Sequence, residues 1–67
     1  MTETNYRWLQ LNQQVFQNVR LSKEDLTTLI SIYNDITGES QKMTGCGRCV
    51  ANIKKRVKAA YDSYESL

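Results

Sequence analysis

Leu21-Ser22-Lys23-Glu24-Asp25-Leu26-Thr27-Thr28-Leu29-Ile30-Ser31-Ile32-Tyr33-Asn34-Asp35-Ile36-Thr37-Gly38 carries signals for both ends of a helix. Ser22 reads as the N-cap, because its hydroxyl can accept a first-turn backbone N–H. Glu24 and Asp25 place negative charge at the positive end of the helix dipole. Ser22 with Asp25 approximates a capping box, and Leu21 with Leu26 stand where a hydrophobic staple closes. Gly38 is a natural C′ terminator. Between these signals, Leu26, Leu29, Ile30, Tyr33 and Ile36 recur at helical spacing and form the expected buried side. Ile32 falls off that stripe, which makes it a candidate for contact with a neighbouring element or subunit.

Working outward, the segment from about 5 to 19 also reads as helix. Trp8, Leu11, Val15 and Val19 recur at intervals of three and four, and Leu9 and Phe16 widen the apolar face. Its other face is built from Gln and Asn (Gln10, Asn12, Gln13, Gln14, Gln17, Asn18), polar but almost uncharged. Such a face is either ordinary solvated surface or one that desolvates easily at an interface. Downstream, residues 37–45 make a long polar loop whose one large apolar side chain, Met43, is placed to anchor it.

A third helix is expected over about 47–66. Cys46, Val50, Ile53, Val57, Ala60, Tyr64 and Leu67 alternate by four and three, a heptad seam suited to an internal core or to a second chain. Tyr61 sits at the seam edge. Arg48 and Lys55 lie opposite the seam, flanked by Lys54, Arg56 and Lys58. The expectation is an all-α, three-helix domain over residues 1–67. At 67 residues and 40% apolar content it has a small core, which favours an oligomer. Trp8, Phe16, Ile32, Val57, Tyr61 and Tyr64 are the candidate interface residues.

The turn Thr44-Gly45-Cys46-Gly47-Arg48-Cys49 concentrates the distinctive chemistry. Thr44 is a plausible N-cap for the third helix. Glycines on both sides of Cys46 free the backbone, and unpaired N–H groups at a helix start suit an anion. Lys42, Thr44, Gly45, Gly47, Arg48, Lys54, Lys55, Arg56 and Lys58 are therefore the candidate residues for an anion, a phosphorylated ligand or nucleic acid. The bland reading is a capped helix start with solvated charges. Cys46-Gly47-Arg48-Cys49 is open to three readings. It is a pair of buried thiols in the core, a redox pair with a lowered first pKa, or half of a zinc site that a second chain would complete.

Several function classes are disfavoured. The chain contains no His, which removes the commonest general base. No nucleophile has an evident base partner, so no enzyme is expected beyond thiol chemistry. Net charge of +2 does not by itself argue for nucleic acid. No apolar run approaches membrane-spanning length, and the start Met1-Thr2-Glu3-Thr4 is unlike a signal peptide. Two cysteines in one tight pair do not make a secreted disulfide framework. A reducing, cytoplasmic setting is expected.

Tyr33-Asn34, Ile36-Thr37-Gly38, and Cys46-Gly47 with Cys49 ahead of a basic helix resemble small proteins encoded by tailed bacteriophages. The likeness covers Tyr33 to Lys58. It implies a small protein of the host cytoplasm that binds and blocks a host protein or serves as a minor assembly factor. Together with the small size, the amide-rich first helix, the seam and the missing catalytic groups, the expectation is a non-enzymatic interaction protein that self-associates and binds or inhibits a host protein. The alternatives are the anion or nucleic-acid binder and a zinc-bridged dimer through Cys46 and Cys49.

Overall fold

The computed structural model describes residues 1–18 and 20–65. Val19, Ser66 and Leu67 lie outside the described residues, and with them the expected end of the first helix and the last seam position. Four helices follow in order: α1 Glu3–Leu11, α2 Gln14–Gln17, α3 Lys23–Thr37 and α4 Gly47–Glu65. No strand occurs among the described residues. The all-α expectation holds, with four helices instead of three.

The extra helix comes from a break at Asn12. The Asn12 side chain donates to the Trp8 carbonyl at 2.8 Å, the acceptor its own N–H would use in a continuing helix. That N–H turns to Leu9 instead, at 3.2 Å. Gln13 then donates to the Tyr61 hydroxyl at 2.7 Å, which ties the corner to α4. The redirection changes which side chains are buried. Leu9 and Val15 are fully enclosed, whereas Leu11, on the expected stripe, is 82% exposed. Part of the amide-rich surface is therefore structural, since Asn12 and Gln13 make the corner and Asn5 donates to Asp35 of α3 at 3.0 Å.

α3 forms as its sequence dictates. Ser22 accepts the Asp25 N–H at 3.1 Å, and Gly38 closes the helix with φ 74°. Leu21 and Leu26 both pack on the core.

α4 packs against α3, α1 and α2. The core is Leu9, Val15, Leu29, Ile30, Ile32, Tyr33, Ile53, Val57 and Tyr61. Three candidate interface residues are thus corrected: Ile32, Val57 and Tyr61 are 2%, 0% and 3% exposed within this one chain. Ile32 belongs to the buried core cluster with Leu29, Ile30 and Tyr33 of the same helix, so the buried side of α3 is wider than the expected stripe. Tyr61 moves from the seam edge into the core because Tyr6 stacks on its ring at 5.0 Å and Phe16 meets it at 5.8 Å. Trp8, Phe16 and Tyr64 remain partly buried, and Tyr6 also meets Tyr64 at 4.5 Å. The seam is an internal stripe over Ile53 and Val57, with Val50, Ala60 and Tyr64 at its margins.

The long loop is stitched to α3. The Asn34 side chain donates to the Gln41 carbonyl and accepts the Gln41 N–H, at 3.1 and 2.8 Å. Glu39 accepts the Tyr33 hydroxyl at 2.7 Å and pairs with Arg56 at 3.4 Å. Polar bonds hold this loop, and Met43, expected as its anchor, is 46% exposed.

Candidate functional site: a groove and a dithiol at the start of α4

Two features meet at the Thr44–Gly47 turn. The first is a groove of about 610 Å³ formed by α2, the segment leading into α3, and the first two turns of α4. Phe16, Leu21, Leu26, Val50 and Ala51 give it apolar walls. Thr44, Gly45 and Gly47 form the edge contributed by the turn, and Arg20 and Lys54 supply positive charge. Leu21 and Leu26, at the start of α3, therefore form one wall of the groove.

The structure brings together only part of the candidate anion set. Thr44, Gly45, Gly47 and Lys54 line the groove, while Lys42, Arg48, Lys55, Arg56 and Lys58 do not. Several cations are already engaged within the chain. Lys54 donates to the Asn18 carbonyl. Arg56 pairs with Glu39 and lies over the Tyr33 ring at 5.8 Å. Lys58 bonds Asp62 at 2.9 Å, and that bond is the main reason its pKa is raised. Arg20 was missed in the sequence. It lies in a short connection, and only the folded chain places it in one groove lining with Lys54.

The second feature is the cysteine pair. Both Cys46 and Cys49 are exposed free thiols, which overturns their reading as buried core residues. α4 begins at Gly47, so Cys46 precedes the helix and does not reach the core stripe. Its carbonyl accepts the Val50 N–H at 3.0 Å, and its sulfur accepts the Cys49 N–H at 3.3 Å. Cys46 is therefore the N-cap. Thr44, expected in that role, instead accepts the Cys46 N–H at 3.1 Å, one step upstream.

This cap changes the anion argument. The first-turn N–H groups that would hold a ligand's phosphate are directed in part at the protein's own sulfur. The Cys46 pKa is lowered, first because the Cys49 thiol donates to it, then by the Cys49 and Arg48 N–H groups. The Cys49 pKa is raised, first because its proton is held by the Cys46 sulfur, then by desolvation. The two thiols are thus driven apart, one toward thiolate and the other toward thiol.

Neither neighbouring glycine is required by the fold. Gly38 is the one described residue with positive φ, so the unusual dihedrals expected at Gly45 and Gly47 are not used. A Cβ at either position would meet nothing within 4 Å. For a metal, the pair supplies two thiolates, and no cluster of three or more His, Cys, Asp or Glu side chains occurs among the described residues. A tetrahedral zinc site would need two further ligands from elsewhere.

Comparison of the chain with protein-family models, with curated proteins and with solved structures finds no match. No described helix is long and apolar enough to cross a membrane.

Proposed function

We propose that this chain is a non-catalytic interaction module whose groove receives an extended acidic and apolar segment of a partner protein. The groove itself supports the reading. Its walls combine Phe16, Leu21, Leu26, Val50 and Ala51 with Arg20 and Lys54, a surface that matches apolar side chains interleaved with carboxylates. On the resemblance to small tailed-phage products, that partner would be a host protein. The reading does not require self-association, because the seam residues Ile53 and Val57 are buried inside the chain.

A displayed random-peptide library, selected on the full chain, tests this. The expected binders interleave Asp or Glu with Leu or Phe. Their affinity should fall about tenfold or more in Ala51→Trp, which fills the groove, and in Lys54→Glu, which reverses its charge. Circular dichroism checks that each variant is folded. Binders insensitive to both substitutions, or a library that yields none, would reject the groove as a docking site.

A further inference from the structure

We propose that Cys46 and Cys49 form a thiol–disulfide exchange site, in which Cys46 attacks a disulfide and Cys49 resolves the adduct into an intramolecular Cys46–Cys49 disulfide. This inference stands apart from the groove, whose lining contains neither sulfur.

Three features of the turn carry it. Both sulfurs are exposed, so a disulfide in solution can reach them. The Cys46 sulfur accepts the Cys49 N–H at 3.3 Å, so the turn already holds the Cys46 sulfur against the residue it must bond. Cys46 at the N-cap and Cys49 three residues on are about 5 Å apart between Cα atoms on helical geometry. That separation falls inside the range of about 4.4–6.8 Å that disulfides span.

The roles follow from the hydrogen bonds. Cys46 accepts the Cys49 N–H at 3.3 Å and its pKa is lowered, so its thiolate is the stabilised one and it is the nucleophile. Its sulfur attacks one sulfur of a disulfide R–S–S–R, forming Cys46–S–S–R and releasing R–S⁻. Cys49 then loses its proton through solvent and attacks the Cys46 sulfur, displacing the second R–S group, which leaves as a thiol after protonation. The protein dithiol is oxidised, and the substrate disulfide is reduced to two thiols. Each chain consumes one equivalent, and a thiol reductant reverses the step.

The test uses the full reduced chain with oxidised glutathione, quenched in acid and read by intact mass spectrometry. The expected product is the chain less its two thiol hydrogens, with no lasting glutathione adduct. Cys49→Ser should instead accumulate a glutathione adduct on Cys46, since nothing resolves it. Limiting iodoacetamide on the unaltered chain gives a measurement that needs no variant. Cys46 should be alkylated about tenfold faster than Cys49 at neutral pH, with a pH midpoint below that of an ordinary thiol. Equal alkylation of the two sulfurs, a persistent adduct on the unaltered chain, or no reaction with oxidised glutathione would each overturn the proposal. A protein disulfide offered in place of glutathione then distinguishes a protein substrate from a small one.

Discussion

The two ends of α4 are held by different forces. Its later turns place Ile53, Val57 and Tyr61 in the core, and the Tyr61 ring touches both Tyr6 and Phe16. Its first turn rests on hydrogen bonds among Thr44, Cys46 and Cys49, with both cysteines exposed. Burying a large apolar side chain stabilises a fold by about 1.5–3 kcal/mol. An exposed hydrogen bond contributes much less, because water replaces it on opening. The contrast teaches where chemistry can be accommodated: the reactive sulfurs and the groove edge sit at the end of the helix that contributes least to stability.

The sharpest way to break this comparison is at Ile53. Ile53→Ala should lower the unfolding free energy by about 2–5 kcal/mol, measured by urea denaturation. A domain of this length has only roughly 3–10 kcal/mol in total, so this variant should be close to unfolding. A loss below about 1 kcal/mol would mean that the later turns of α4 are not the structural half.

A smaller effect is expected between the two ends, in the loop that delivers the chain to α4. Asn34→Ala removes both bonds to Gln41 and should cost about 1–2 kcal/mol. Amide hydrogen exchange should quicken over residues 39–46 while the core of α3 and α4 stays protected. Uniform loosening of both helices would show that the loop is not separable from the core.

The smallest effect belongs to the first turn itself. Cys46→Ser should leave the unfolding midpoint unchanged or slightly raised, because a serine oxygen is a better N-cap acceptor than a thiol sulfur. A loss comparable with Ile53→Ala would erase the distinction between the two ends.

How much of this was legible depended on the range of the interactions involved. The Ser22 cap and the Gly38 stop are each made within a few residues, and each formed as expected, while Leu21 and Leu26 both pack on the core. The start of α1 was also local, yet its cap was passed over: Thr2 accepts the Asn5 N–H at 3.2 Å. The break at Asn12 ran against a good periodic pattern. It depends on a side chain that competes for a backbone carbonyl and on a bond from Gln13 to Tyr61, far along the chain. Cys46 matched the seam arithmetic, but it lies one residue ahead of the helix, where that arithmetic stops applying. The groove was half legible: its turn residues and Lys54 stood out, whereas Arg20 and the apolar walls came from segments distant in sequence.

By itself, then, the sequence determined that the chain is helical, where α3 begins and ends, and which turn holds both cysteines. These rest on caps, spacing and residue type, whose physics acts over one or two helical turns. Only the tertiary structure decided that Ile32 and Tyr61 are core residues, that the α4 seam is covered from within the chain, and that Cys46 caps α4 with its sulfur exposed. Those outcomes depend on which side chains meet across the fold, and periodicity along one helix contains no information about what is packed against it.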